Sequence, residues 1–150
     1  GKPLGLFAES GGGTVAQTLT AAIKSDDVLD LIYALKRPYR KNAKFIMNDR
    51  TLLSLRKLKD NNGNYMWQPS YQAGEPDKLL GYSIFTSAYA PAAIAFGDMS
   101  YYNIGDRGTR SIAELRELFA GNGMIAYVAK ERVDGKLVLG EAVQIMQLNA

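Results

Sequence analysis

NAKFIMNDRTLLSLRKLKDNNGNYMWQPSYQAGEPDKLLG, residues 42–81, passes through four punctuated elements in order. A short apolar strand comes first, carried by Phe45, Ile46 and Met47. Asn48 then supplies a helix cap, and Met47 and Leu52 sit at the positions of a hydrophobic staple around it. Leu52, Leu55 and Leu58 recur at helical spacing over Asp49–Lys59, with Arg50, Arg56, Lys57 and Lys59 left to reach water. Asp60-Asn61-Asn62-Gly63-Asn64 is turn chemistry. An aromatic stretch around Trp67 and a Gly-Glu-Pro loop lead on to Leu79-Leu80-Gly81-Tyr82.

Upstream, the spacing predicts a helix over Asp26–Lys36. Ser25 is a suitable cap, and Asp26 and Asp27 place negative charge where the helix dipole favours it. Val28, Leu29, Leu31, Ile32 and Leu35 outline one buried face, and Pro38 forbids continuation. Residues 1–25 read as a flexible, Gly-rich lead-in. Gly11-Gly12-Gly13 lacks the Gly-Lys-Ser/Thr that a phosphate-binding loop needs. Val15, Leu19, Ala21 and Ile23 fall mostly at period two and allow a strand.

Downstream the chain turns strand-rich. Tyr82–Thr86, Ala93–Phe96 and Tyr101–Ile104 are short, β-branched or aromatic, and separated by Pro or Gly. Glu114–Phe119 reads as a brief helix. Asp134-Gly135, between Met124–Val133 and Lys136–Leu139, is the strongest short hairpin signal, and Ala142–Leu148 is a last strand. Helices early and strands late, without βαβ alternation, indicate an α+β fold with a mixed central sheet flanked by helices. Leu29, Ile32, Leu52, Leu55, Ile84, Ile94 and Phe96 are the expected core. The units expected are the lead-in (1–25), a domain core (26–120) and closing strands (121–150), in one compact body.

Composition restricts the chemistry. The chain has 150 residues, 47% of them hydrophobic, enough for one substantial core. It has no cysteine, which excludes disulfides, thiolate metal sites and thiol nucleophiles. It has no histidine, the commonest acid–base group near neutral pH. No apolar run approaches the ~18 residues of a membrane span, and residues 1–25 lack a signal-peptide layout. Asp98, Asp106 and Glu114 could form a carboxylate pair for acid–base work. Their plainer reading is turn and cap residues, because Gly97-Asp98 and Gly105-Asp106 sit at strand ends. The Asp60-x-Asn62-x-Asn64 spacing is not a calcium loop, since Tyr65 and Tyr71 stand where glycine and glutamate are required. No catalytic, cofactor-binding or metal-ligating residue is assigned, and no cofactor is expected.

The net charge of +3 is unevenly spread. Nine basic residues lie between Lys36 and Lys59 (Lys36, Arg37, Arg40, Lys41, Lys44, Arg50, Arg56, Lys57 and Lys59), with Asp49 the single acid. Such a cluster can neutralise phosphates, although its plainer reading is a solvated helix face with its flanks. It lacks the aromatic interleaving of single-strand binders.

The ordered set resembles the major capsid proteins of tailed phages and prophages, the Hong Kong 97-type fold. The matching features are the Pro38-to-Ala43 link, the Met47-Asn48 strand end, Thr51 to Asp60, Gly63 to Pro69 and the Leu79-to-Tyr82 strand. Phe96-Gly97-Asp98 and the Arg132-to-Gly135 turn follow in the same order. The resemblance covers Leu29 to Leu148. It implies the axial domain of a capsid subunit plus returning strands of the peripheral domain. The N-terminal arm, extended loop and spine helix of full subunits are not in the sequence. The implied function is structural, not enzymatic: pentamers and hexamers that enclose DNA in a virion assembled in the bacterial cytoplasm. Non-specific contact with packaged DNA and no membrane contact are expected. The turn Asp60–Asn64 and the loop Trp67–Glu75 would meet at a capsomer axis. The 150 residues alone are expected to be monomeric or weakly associating. The alternative is a non-catalytic basic module that binds nucleic acid or peptide.

Overall fold

The computed structural model describes residues 2–60, 62–67 and 77–148. Among these, ten strands and three α-helices occur, and six strands form one mixed sheet in the order β1-β10-β5-β2-β4-β3. Their ranges are β1 Thr14–Leu19, β2 Lys44–Met47, β3 Lys78–Leu79, β4 Tyr82–Thr86, β5 Ala93–Gly97 and β10 Val143–Leu148. β1 runs parallel to β10 and β2 parallel to β4, while the other neighbours are antiparallel.

Strand alternation divides this sheet into two apolar faces. Phe45, Met47, Ile94, Phe96, Ile84 and Met146 meet α1 (Ser25–Ala34) and α3 (Asp49–Arg56) through Val28, Leu31, Ile32, Leu52 and Leu55. Ala93, Ala95, Val143 and Ile145 point the other way, under Leu6, Phe7, Tyr101, Tyr102 and Leu137. β5 is therefore buried along its whole length. At its centre Phe96 stacks on Phe45 with ring centroids 4.5 Å apart and meets Tyr82 edge-on at 4.9 Å.

Of the expected core, Ile32, Leu52, Leu55, Ile84, Ile94 and Phe96 are buried, but Leu29 is 42% exposed. Val28, Leu31, Ile32 and Leu35 complete the inward arc of α1 and leave Leu29 at its margin. The cap also differs from expectation. Ser25 lies inside the helix, and Lys24 occupies the capping position, its N–H donating to the Asp27 carboxylate at 2.8 Å. The helix stops at Ala34 because Leu35 turns extended. Pro38 then sits in the first turn of a separate short helix, α2 (Arg37–Arg40), where its missing N–H costs nothing. The link before β2 is thus partly helical.

α3 is capped as expected: the Asn48 side chain accepts from Arg50 N–H at 3.0 Å. It ends at Arg56 and not at Lys59. The chain there folds into a tight reversal in which Asp60 N–H reaches Asn64 O at 2.8 Å and Met66 N–H reaches Leu58 O at 3.0 Å. β3 and β4 join through Leu80 and Gly81, both at positive φ (52° and 87°), the geometry of a two-residue primed turn.

Beyond β5 a 3₁₀ turn, Met99–Tyr101, leads into β6 (Tyr102–Asp106) and β7 (Ser111–Leu115), which return as β8 (Ala126–Lys130) and β9 (Val133–Leu137). β6 pairs with β9 and β7 with β8, and Arg107 N–H donating to Arg132 O at 2.9 Å joins the pairs into one ribbon. Two expectations fail here. Glu114 and Leu115 are strand, because Glu114 pairs with Tyr127 and Leu115 with Ala126. Asp134-Gly135 is no turn: both residues lie inside β9, opposite Gly105 and Ile104. Gly135 serves a close approach instead, since a Cβ there would stand 2.6 Å from the Tyr102 hydroxyl.

Candidate functional site

The three carboxylates considered for catalysis lie on separate elements. Asp98 is buried and caps the 3₁₀ turn by accepting from Ser100 N–H at 3.0 Å. Asp106 ends β6 in the ribbon, and Glu114 in β7 pairs with Arg116 at 3.1 Å. Asp60 holds its own turn by accepting from Asn62 and Asn64 N–H at 2.9 and 2.8 Å. Those bonds, the Asn64 one foremost, hold its carboxyl below its ordinary value.

Part of the basic cluster is engaged in local structure. Lys36 pairs with Glu141. Arg40 donates to Leu35 O at 2.7 Å and Tyr33 O at 3.0 Å, with its guanidinium over the Tyr33 ring. Arg56 pairs with Asp77 and lies 5.2 Å from the Trp67 ring centre. Lys41 and Lys44 line an open cleft of about 690 Å³ together with Asn42, Ser83, Ser100 and the buried Asp98, and the Lys44 ammonium lies 5.3 Å from the Phe85 ring centre.

Apolar surface is concentrated in two places. Leu29, Leu55, Leu58, Trp67, Leu79 and Leu80 line a cleft of about 300 Å³ between α1, α3 and the β3–β4 turn. Trp67 is held there by donating Nε1–H to Lys78 O at 2.9 Å. Of the expected Trp67–Glu75 axis loop, all but Trp67 lies outside the described residues. The ribbon exposes Ile104, Ile112, Leu118 and Tyr127. A two-stranded ribbon is marginally stable alone, so such a surface suits contact with other chain. Sequence reasoning missed it, because a helix was expected at Glu114–Phe119 and the turn at Asp134-Gly135.

The described architecture has close counterparts among solved structures. The capsid of the native GTA particle, computed with C5 symmetry, is 34% identical with a TM-score of 0.72; the match covers 93% of this chain and 49% of that one. The capsid of the empty GTA particle gives 34%, 0.71, 91% and 48%. The Gordonia phage Cozz structure, at 17% identity and TM-score 0.65, shares the fold over 95% of this chain and 51% of its own. The chain thus spans about half the length of the capsid chains it matches. A comparison with curated protein sequences returns no match. The model of the phage capsid family matches residues 1–148. With its mixed α+β fold and capsid-like neighbours, this chain belongs to the phage capsid family.

Proposed function

We propose that this chain is part of a major capsid subunit that assembles into pentamers and hexamers around DNA. The head is built in the bacterial cytoplasm, and the chain performs no catalysis. The observation that carries the reading is the shared fold with two capsid structures, at 34% identity over more than nine-tenths of the chain. The six-stranded sheet with α1 and α3 is the axial domain, and the β6–β9 ribbon is its peripheral extension. Exposed apolar ribbon residues support that division, because they require a covering neighbour.

Electron microscopy of the complete product of the gene tests the proposal. Closed shells are expected, and discrete small oligomers or monomers at assembly concentrations would overturn it. The 150 residues alone are expected to be monomeric or weakly associated by light scattering, since stable interfaces bury roughly 1,200–2,000 Å².

DNA contact is assigned to Lys41 and Lys44, which line the open polar cleft and have no ion-pair partner among the described residues. Replacing both with Glu should weaken duplex binding and flatten its salt dependence by about two charges' worth of slope. An unchanged slope would remove DNA from the list of partners at this cleft.

A further inference from the structure

The Gly11-Gly12-Gly13 triplet closes a loop. Gly13 N–H donates to Leu6 O at 2.9 Å and Ala8 N–H to Gly5 O at 3.1 Å, so the chain before β1 folds back on itself. The closure needs a bare backbone at Gly12, where a Cβ would stand 2.4 Å from Ala8 O and 2.6 Å from Leu6 O.

This loop touches both parts of the molecule. On the ribbon side, Leu4 N–H donates to Gly135 O in β9 at 2.8 Å, and the Tyr102 hydroxyl in β6 donates to Leu4 O at 2.7 Å. Each strand at the base of the ribbon thus holds one backbone group of Leu4. The Tyr102 hydroxyl reaches that position past Gly135, where only the missing side chain leaves it room. On the sheet side, Leu6 and Phe7 pack with Leu137 of β9 against Ala93, Ala95, Val143 and Ile145.

The attachments differ in strength. β5 and β10 pair along their length and are buried over most of it. The loop holds the ribbon with two hydrogen bonds at Leu4, itself 38% exposed, and with the half-buried Leu6 and Phe7. A two-stranded ribbon is marginal by itself, so its base depends on that support. We infer that residues 4–13 are a latch. Closed, they clasp the base of the β6–β9 ribbon to the sheet. When they open, the ribbon base is released while the six-stranded sheet stays intact. The latch thereby governs how the exposed Ile104, Ile112 and Tyr127 of the ribbon are presented. It belongs to the folded chain itself, whether or not shells form.

Hydrogen exchange read by mass spectrometry on the complete gene product tests the latch. In the parent, amides of residues 4–13 and of β6 and β9 should exchange together, ahead of those of β5 and β10. Tyr102→Phe removes one hydrogen bond and should speed the first group by about two- to tenfold, leaving β5 and β10 unchanged. Gly12→Ala sets a methyl group against backbone oxygens and should speed the same group by about tenfold or more. A rise confined to residues 4–13 would show that the ribbon stands without the latch and would overturn the coupling. An equal rise in β5 and β10 would make the opening a global unfolding, which also overturns it, as would unchanged exchange in both variants. Electron microscopy of the same samples reads assembly separately, so a failure of the capsid reading is distinguishable from a failure of the latch.

Discussion

The Tyr39 hydroxyl donates to Glu141 at 2.7 Å, joining α2 to the turn that leads into β10 across 102 positions of sequence. Lys36 binds the other oxygen of the same carboxylate, and the Tyr39 ring meets Tyr101 edge-on at 5.4 Å. The hydrogen bond from Lys36, then that from Tyr39, holds the Glu141 carboxyl below its ordinary value. The bond to Glu141 is the main cause that raises the Tyr39 phenol above its model-compound value of 10.0. A lowered carboxyl stabilises the fold above its unfolded value and loses that contribution as pH falls through the folded one. A raised phenol contributes below its unfolded value and loses it as pH climbs through the folded one. Glu141→Gln should therefore lower Tm through the neutral range, with the gap from the parent closing below roughly pH 4. Tyr39→Phe should show its gap closing on the alkaline side. A pH-independent gap in both would refute the linkage.

Gly97 ends β5 opposite Val143 in β10. A Cβ at Gly97 would stand 2.3 Å from Ala142 O and 2.6 Å from Val143 Cα, both backbone atoms that cannot swing away. Gly97→Ala should cost roughly 1–3 kcal/mol or more by overpacking. Chemical denaturation would detect it, and a variant of unchanged midpoint would mean that the two strands are farther apart.

Leu80 holds φ at 52° in the β3–β4 turn, a region that costs an ordinary L-residue about 1–2 kcal/mol. Asn tolerates it and precedes Gly81 in the favoured order for this turn. Leu80→Asn should raise stability by about 1 kcal/mol. A loss instead would show that the Leu80 contacts in the apolar cleft outweigh the backbone strain.

The contrast between neighbours on α1 is equally open to measurement. Leu31 is fully buried, so Leu31→Ala should cost roughly 2–5 kcal/mol. Leu29 lies at the margin of the cleft, and Leu29→Ala should cost about 1 kcal/mol or less. Equal losses would place Leu29 back in the core.

Much of the fold was legible because its signals are local. Asn48 as cap, the leucines of α3, the acid-started α1 and the apolar β2 and β5 segments each follow from spacing within a few residues. Where expectation failed, a distant partner decided. Asp134-Gly135 carries strong turn propensity, but pairing of β9 with β6 and the nearby Tyr102 hydroxyl claim Gly135 for a strand. Glu114 looked helical until its partner Tyr127, beyond the turn of the ribbon, was in place. The concentration of basic residues was visible as composition. That Lys36, Arg40 and Arg56 are committed to partners in the fold was not.

The sequence by itself determined the two main helices, α1 and α3, the mixed α+β class, the absence of cysteine and histidine chemistry, and the ordered residues that mark the capsid family. These are properties of residue type and short-range periodicity. Only the tertiary structure decided that β1 closes the sheet edge by pairing with β10, 129 positions away at Gln17 and Met146. It alone brought α1 and α3 together on one face of the sheet and raised an exposed ribbon beyond β5. Such placements depend on hydrogen bonds and packing between segments far apart in the chain, and no local pattern encodes which partner a strand edge or a charged face will meet.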